Sequence, residues 1–478
     1  GVPMQRRSFL KGTAAALLAA PFAASWSHAS ARTLAPVQDA STGLSLLRLP
    51  PGFSYSSFSW TGDSMVGGGR VPAQHDGMAV TREGDALVLL RNHELVVGDP
   101  IIGKKLPVYD DILFPVPEDP TVIRTMAGGV SSVRIENGRY AGTQPLLAGT
   151  AQNCAGGITP WGSWLTCEES MLRLGEIGGK DHGFVFEVPA HQKASAKPIV
   201  DMGMFRHEAA AVDPQAGIVY LTEDGSPSGF YRFLPRDRRP RPGALERGGT
   251  LQMLKVRGMD NADLTMPEQG DTYSVEWVTI DDPAQGPESL VPGSPGGPAV
   301  VGTGRSGPFL QGEAAGCARF RRGEGCWYHD GLIYWVDTSG GKAGAGSLWI
   351  LDTKADTLLA LFVSPGTGVA DAIDNVTVGP HGVIIACEDG GGESDADGVV
   401  TRGTRLIAVQ SDGTTQVVGE NNILLTDPVK DHPVIAPGDY RTSEWAGACF
   451  SPKGDVLYVN IQRPGVTFAI KGPWASLS

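Results

Sequence analysis

The chain is poor in charge and in long apolar runs. Only 19% of its 478 residues are charged, whereas 41% are hydrophobic, which is too apolar for a disordered chain. Beyond residue 31, no segment approaches the ~18 consecutive apolar residues that a membrane helix needs, so we expect no membrane span. Lys and Arg number 39 against 52 Asp and Glu, a net charge of −13. This acidity argues against a nucleic-acid partner, whose phosphates it would repel.

Several common catalytic and metal-binding motifs are also missing. The sequence has no Gly-x-Ser-x-Gly nucleophile motif, and Gly340-Gly341-Lys342 lacks the strand–loop–helix context of a P-loop. None of the six cysteines has the C-x-x-C spacing of a zinc site. In an oxidising compartment the six could form three disulfides, with a connectivity that the sequence does not define.

The first thirty-one residues have the pattern of an export signal. Arg6 and Arg7 precede an apolar stretch at 14–24, and small residues follow at 29–31. A twin arginine, a short apolar region and a small-residue cleavage site are typical of a twin-arginine signal peptide. We interpret 1–3 as an addition ahead of Met4, 1–31 as the signal peptide and 32–478 as one domain. The twin-arginine machinery would then be an export partner, and the product periplasmic or secreted.

One short pattern recurs six times along the chain. Each copy has a polar residue, an apolar run, a turn near glycine and a second apolar run that ends in polar residues, as in a β-hairpin. The copies span 76–94, 153–169, 208–224, 324–338, 374–389 and 444–462. With 65 Gly and 35 Pro, the sequence predicts an all-β fold, a six-bladed β-propeller with inter-blade insertions such as 236–300. A β-sandwich or two unrelated β-domains is the alternative.

The repeat also predicts a site. A hairpin brings its open ends together, and a propeller turns equivalent ends toward one face, where the acids of the six copies would gather. Their mutual repulsion is relieved by bound cations, and many oxygen ligands suit Ca²⁺. Cys167 beside Glu168 and Glu169 would add a soft ligand that favours a transition metal such as iron. His93 and His207 lie next to such acids, either as ligands or as core residues.

The same motifs resemble those of a known family. The segments RNHE (91–94), TPWGSWLTCEE (159–169), FRHEAA (205–210), RRGEGCWY (321–328) and EWAGACFSPKGDVLYVNIQRPG (444–465) resemble the PhoX family of exported alkaline phosphatases. The resemblance implies a propeller that holds Fe³⁺ and Ca²⁺ and hydrolyses phosphate monoesters. It implies catalytic roles for Cys167, Arg322 and Glu324, with Arg322 binding the phosphate. The predicted metal ligands are Cys167, Glu168, Glu169, Glu208, Glu223, Asp224, Glu324, Asp374, Glu388, Asp389, Glu94 and Glu444.

Two other functions fit a propeller with an acidic mouth. One is a calcium-dependent lactonase or arylesterase, which would need no thiolate. The other is a binding propeller whose metals are only structural. The resemblance implies a small phosphate ester as the substrate. We expect a monomer, because neither end of the repeat series shows an obvious surface for association with a second chain.

Overall fold

Antiparallel strands make up most of the ordered structure. The computed structural model describes residues 33–293 and 300–478, so the predicted signal peptide at 1–31 lies outside the described residues. Within those ranges the helical elements are α1 (Gly307–Ala314) and four 3-10 turns, Gly175–Ile177, Val200–Met202, Leu245–Arg247 and Trp474–Leu477. The all-β class is confirmed. None of the described helices has the length and hydropathy to cross a membrane.

The N-terminal part of the chain forms edge strands and the first hairpin unit. The strands up to residue 150 are β1 (Ala35–Val37), β2 (Leu47–Leu49), β3 (Ser54–Phe58), β4 (His75–Glu83), β5 (Ala86–His93), β6 (Val97–Gly98), β7 (Leu113–Val116), β8 (Asp119–Met126), β9 (Gly128–Glu136) and β10 (Arg139–Thr150). The first unit is the sheet β4-β5-β9-β10, and β6, β8 and β7 form a small sheet of their own.

The second and third units follow. Their strands are β11 (Asn153–Ile158), β12 (Ser163–Glu168), β13 (Leu172–Arg173), β14 (Asp181–His182), β15 (Val185–Pro189), β16 (His207–Val212), β17 (Val219–Glu223), β18 (Phe230–Pro235), β19 (Gly249–Val256), β20 (Thr272–Thr279), β21 (Ser289–Pro292) and β22 (Val300–Thr303). The second unit is β11-β12-β15 and the third is β16-β17-β18-β19-β20. Residues 236–300 are therefore only partly an insertion, because β19 and β20 lie within that range and extend the third unit.

The C-terminal half supplies three more units. Its strands are β23 (Gly323–His329), β24 (Leu332–Asp337), β25 (Ser347–Asp352), β26 (Thr357–Val363), β27 (Ile373–Val378), β28 (Ile384–Glu388), β29 (Glu393–Ser394), β30 (Val400–Arg402), β31 (Arg405–Val409), β32 (Thr415–Asn421), β33 (Leu424–Leu425), β34 (Gly438–Asp439), β35 (Trp445–Phe450), β36 (Val456–Ile461) and β37 (Val466–Lys471). The units are β23 to β26, then β27-β28-β31-β32 and then β35-β36-β37. Strand β20 pairs with β26 and joins the third and fourth units.

The six units are arranged in a circuit. Their first strands, β4, β11, β16, β23, β27 and β35, neighbour one another in that order, and β35 also neighbours β4. The N-terminal strand β3 pairs with β37, so both ends of the described chain complete the sixth unit. Strand β2 pairs with β32 of the fifth unit in the same way.

Buried apolar side chains fill the space between neighbouring units. One cluster joins Phe230 of the third unit to Trp335 of the fourth, whose rings stack with centroids 3.8 Å apart. Similar clusters lie at the other five contacts around the circuit. All six cysteines are buried free thiols, so the disulfides considered from the sequence are not formed. The fold is therefore stabilised by packing, which holds the open hairpin ends at one end of the circuit.

Candidate metal centre

A β-bulge begins the first strand in five of the six hairpins. The register slips directly after the pairs His75↔His93, Asn153↔Glu168, His207↔Glu223, Gly323↔Asp337 and Ile373↔Glu388. A bulge re-aims the side chain of the extra residue. The residues at the slip are Asp76, Cys154, Glu208, Glu324 and Asp374. Each of these five hairpins thus places one ionisable side chain at the same structural position.

The second strands contribute the residue that comes directly after their last paired residue. Because side chains alternate along extended backbone, this residue points opposite to the one before it. These second-strand residues are Glu94, Glu169, Asp224 and Asp389, and in the sixth hairpin Gln462. Gln462 Nε2 lies 2.8 Å from Asp76 Oδ2 and 2.5 Å from Glu94 Oε2, so the amide bridges two acids.

Nine carboxylates and one thiol meet as a result. They form four sets whose ligand atoms all lie within 4.8 Å of one another. The sets are Cys154, Glu169 and Glu208; Glu208, Asp224 and Glu324; Asp374, Asp389 and Glu444; and Asp76, Glu94 and Glu444. Glu208 and Glu444 each belong to two sets, and Asp374 is hydrogen-bonded to both Glu324 and Glu444. The four sets are therefore connected, and we treat the ten side chains as one acid cluster.

Burial and mutual repulsion disfavour negative charge in the acid cluster. Burial first, and then the charge of Asp374, raises the pKa of Glu208 well above its ordinary value. The pKa of Glu324 rises for the same reasons, with Asp224 as the strongest neighbour. Burial also raises the pKa of Asp374 to about 6. Without added positive charge, these carboxyls stay protonated at pH values where ordinary acids are ionised.

Arg322 is a cation at the edge of this cluster. Its Nε and Nη2 donate to the two oxygens of Asp224 at 3.0 and 3.2 Å, and Nη2 also lies 3.3 Å from Glu324 Oε1. Its φ of 57° is in the left-handed region. The Arg322 N–H donates to the Gly225 carbonyl and its own carbonyl accepts from Thr338, which hold that conformation. The side chain remains 44% exposed, so the guanidinium is accessible from solvent.

Glu168 does not join the acid cluster, although Glu169 does. Its Oε2 lies 2.6 Å from His182 Nδ1, and His182 Nε2 lies 2.8 Å from Asp110. Backbone N–H groups of Ala151, Gly183 and Phe184 donate to the same carboxylate. Burial alone would lower the pKa of His182, but Glu168 and Asp110 raise it to about 9. The Glu168 carboxylate is thus committed to a buried ion pair.

Glu223 and Glu388 also point away from the cluster. Glu223 accepts hydrogen bonds from Gly229 N and the Tyr231 hydroxyl at 2.8 and 2.9 Å, and from Ser306. Glu388 forms a buried ion pair with Arg405, with Nη2 2.6 Å from Oε1. Both precede the residue that does reach the cluster, as strand alternation requires.

The thiol in the cluster is Cys154, and the predicted Cys167 lies elsewhere. Cys167 is fully buried among the apolar side chains between the second and third units, outside all four sets. Of the predicted ligands, the structure brings together Glu94, Glu169, Glu208, Asp224, Glu324, Asp374, Asp389 and Glu444, and it leaves out Cys167, Glu168, Glu223 and Glu388.

Cys154 and Asp76 were missing from the predicted ligands, yet the repeat carries a signal for both. Asp76, Cys154, Glu208 and Glu324 are each followed by Gly or Ala. A Cβ added at Gly77 would lie 2.4 Å from the Cα of Ala155 in the next unit. A small residue is needed at this position because the first strands of adjacent units approach closely. When these four copies of the repeat are aligned on that small residue, Cys154 rather than Asn153 falls at the position of the acids.

The donor set suits metal cations. Clustered carboxylate oxygens are the ligands of Ca²⁺, and a thiol beside two of them suits a softer transition metal. Within 33–293 and 300–478, Arg322 is the only Arg or Lys that forms an ion pair with the acid cluster. Bound cations would therefore relieve the repulsion that raises the pKa values of its carboxyls.

Comparison with known proteins agrees with this architecture. Residues 32–144 and 118–465 match the family model of alkaline phosphatase PhoX. PhoX of Pseudomonas fluorescens, solved with the transition-state analogue vanadate, shares 16% identity over 92% of this chain and 98% of its own, with a TM-score of 0.62. A gluconolactonase of Xanthomonas campestris covers 87% of this chain and 100% of its own at 11% identity, with a TM-score of 0.35. A search of curated proteins gave no match.

Fold and site together define an all-β protein with one buried acidic centre beside an exposed arginine. The family match covers nearly all of the described residues, and the chain belongs to the alkaline phosphatase PhoX family. It is therefore a phosphatase, as the sequence motifs predicted.

Proposed function

We propose that the chain is an exported, metal-dependent phosphatase that hydrolyses phosphate monoesters in the mouth of a six-bladed β-propeller. The six hairpin units would be the blades, and β6 to β8, β13, β14, β21, β22 and α1 would belong to insertions between them. The observation that carries the proposal is the convergence of nine carboxylates and one thiol from all six hairpins beside Arg322.

The residues suggest how the metals divide. Cys154, Glu169 and Glu208 form the set with a sulfur ligand and would hold iron as Fe³⁺. The two all-oxygen sets that share Glu444 would hold Ca²⁺. The set Glu208, Asp224 and Glu324 would lie between the iron site and the calcium sites. Metals bound there would supply positive charge for phosphate oxygens and lower the pKa of bound water.

Arg322 is suited to binding the substrate phosphate. Its guanidinium is held by Asp224 and Glu324 and is still partly exposed, so it is oriented before a substrate arrives. Arg can pair with two phosphate oxygens at once, and phosphoryl transfer depends chiefly on such positioning and charge stabilisation. The vanadate complex of the Pseudomonas protein supports a phosphoryl-transfer site in this fold.

Export and oligomeric state are part of the same proposal. The twin arginine at Arg6 and Arg7 would direct the folded protein to the twin-arginine machinery and then to the periplasm or the medium. We propose a monomer, because one chain supplies every residue of the acid cluster.

Chelation tests the metal-dependent mechanism. Treatment with excess chelator should abolish hydrolysis of p-nitrophenyl phosphate, and Ca²⁺ should restore at least part of the rate. Elemental analysis before and after treatment should show the parallel loss of calcium. Full activity in a calcium-free, iron-free sample would contradict the mechanism, whereas an intact metal content without phosphatase activity would contradict the substrate assignment.

A further inference from the structure

An arginine-rich pocket lies outside the acid cluster. Residues 236–247 contain five arginines and two acids in a chain whose net charge is −13. Arg236, Asp237, Arg238, Arg239 and Arg247 line an open pocket of about 610 Å³. We call this the arginine pocket. We propose that it binds a soluble anion that carries several phosphate groups, independently of the phosphatase centre.

One carboxylate organises the pocket without neutralising it. Arg239 donates to both oxygens of Asp237, at 2.8 and 2.5 Å, and Arg247 Nη1 lies 3.4 Å from the same carboxylate. The second acid, Glu246, pairs instead with the Ser195 hydroxyl. Asp237 is therefore one acid among the four arginines that line the pocket, and Asp201, which lies near Arg236 beside Gly248, adds a second carboxylate, so a net positive charge remains.

Two further arginines are held by backbone carbonyls. Arg236 Nη1 donates to the Arg247 carbonyl at 2.9 Å, and Arg238 Nη1 donates to the Ala216 carbonyl at 3.1 Å. A guanidinium has five N–H donors, so each of these side chains keeps donors for a ligand. These hydrogen bonds restrict the two side chains before binding, which lowers the entropy cost of holding an anion. Arg239 and Arg247 remain 55% and 61% exposed.

The geometry favours a multiply phosphorylated soluble anion over a membrane. Guanidinium groups match phosphate oxygens in bidentate pairs, and several of them in one pocket match several phosphates. The pocket is concave, whereas a bilayer offers a flat surface. None of the residues that line the pocket is hydrophobic, and the exposed large hydrophobic side chains nearest to it along the chain are Val200 and Met259.

The arginine pocket is remote from the acid cluster. The Ala216 carbonyl accepts a hydrogen bond from Arg238, and Ala216 and Gly217 lie in the turn of the β16–β17 hairpin. Glu208 and Asp224 lie at the open end of the same hairpin. Strand β16 has six residues, and at about 3.3 Å per residue the two ends are roughly 20 Å apart. Occupation of the pocket should therefore leave the catalytic mouth free.

Inorganic tripolyphosphate is the probe for this proposal. Calorimetric titrations would use the metal-loaded protein with Arg322→Ala, which weakens binding in the mouth. The sample is dialysed free of unbound Ca²⁺, because tripolyphosphate itself binds that cation. In that background, the triple variant R238Q, R239Q and R247Q should bind tripolyphosphate about tenfold more weakly or worse, because three charge-assisted contacts are lost. The matched control is R48Q, R134Q and R257Q, which changes the net charge equally at exposed arginines outside the pocket. It should bind as the parent does.

Three outcomes decide the proposal. Equal dissociation constants for the triple variant and its control would overturn it. Cosedimentation with anionic phospholipid vesicles that depends on the three arginines, without tripolyphosphate binding, would overturn it in favour of membrane docking. Melting curves identify a misfolded triple variant, and in that case the single change R247Q must still weaken binding more than R257Q.

With Arg322 intact, hydrolysis of p-nitrophenyl phosphate by the triple variant should equal that of its control, which separates this test from that of the phosphatase mechanism.

Discussion

Cys154 and Cys167 differ in surroundings although they belong to the same hairpin. The Cys154 thiol lies with Glu169 and Glu208, and its Sγ is 3.1 Å from the His207 carbonyl. Both thiols belong to the apolar cluster between the second and third units, but only Cys154 is also in reach of two carboxylates. Burial raises the pKa of both thiols well above the ordinary value, so only a bound cation would stabilise a thiolate at Cys154.

Cys154→Ser should therefore lower the iron content of the purified protein, and with it the phosphatase activity, by an order of magnitude or more. Cys167→Ser replaces an equally buried thiol by a group of similar size, so it controls for packing. We expect it to retain iron and to lower only the melting temperature. Elemental analysis of both variants is the measurement, and the reverse ranking would restore Cys167 as the sulfur ligand.

Arg322 offers a second comparison at the residue scale. Arg322→Ala should lower kcat/KM for p-nitrophenyl phosphate by about a hundredfold, the loss typical of removing one donor that stabilises a transition state. Arg322→Lys should recover only part of the rate, because an ammonium cannot form the bidentate pair. Arg321→Ala is the matched control, since the neighbouring side chain lies near Gly344. Equal losses at both positions would argue against a specific phosphate contact.

At the scale of the strand, alternation separates adjacent acids into two roles. Glu168 forms a buried ion pair with His182, whereas Glu169 enters the acid cluster. Glu168→Gln should destabilise the fold by about 1.5–3 kcal/mol, the loss of one charge-assisted hydrogen bond, because His182 keeps Asp110 as its other partner. Glu169→Gln should instead lower the metal content while leaving the stability of the metal-free protein unchanged or increased.

Denaturant unfolding of the metal-free variants, combined with elemental analysis of the metal-loaded ones, separates these two effects. Glu388→Gln and Asp389→Asn form an equivalent pair in the fifth unit, with Arg405 in the place of His182. If both members of a pair lost metal equally, the assignment of roles by strand alternation would fail.

Much of the strand architecture could be predicted because its determinants are local. The turn glycines of the six hairpins, at positions 84, 162, 217, 331, 382 and 454, all have positive φ values, as their spacing between apolar runs suggested. Which of two adjacent acids would enter the acid cluster could not be predicted. It depends on bulges that shift the register and on partners distant in sequence, such as Ser306 for Glu223 and Arg405 for Glu388.

At the scale of the whole molecule, the acid cluster links stability to pH and to metal. The pKa of Asp374 rises from 3.8 to about 6 on folding, and burial raises the pKa values of Glu208 and Glu324 well above their ordinary values. A raised carboxyl pKa means that the folded state binds protons more tightly than the unfolded state. Its stabilising effect is complete below pH 3.8 and is lost as the pH rises through 6 and above.

The metal-free protein should accordingly melt at progressively lower temperature as the pH rises from about 4 to 7. Saturating Ca²⁺ should oppose this loss, because cations replace the protons and bind only the folded state. Differential scanning calorimetry across this range, with chelator or with Ca²⁺, gives the comparison. Parallel curves in the two conditions would show that the carboxyls do not bind calcium.

The closure of the circuit by β3 and β37 has a consequence for biosynthesis. Asp76 and Glu444 share one set of ligands, and Gln462 bridges Asp76 to Glu94, so residues from both ends of the described chain meet in the acid cluster. A ribosome must release nearly the whole polypeptide before these groups assemble. Maturation of the centre is thus a late event, which occurs in whichever compartment the completed chain first folds.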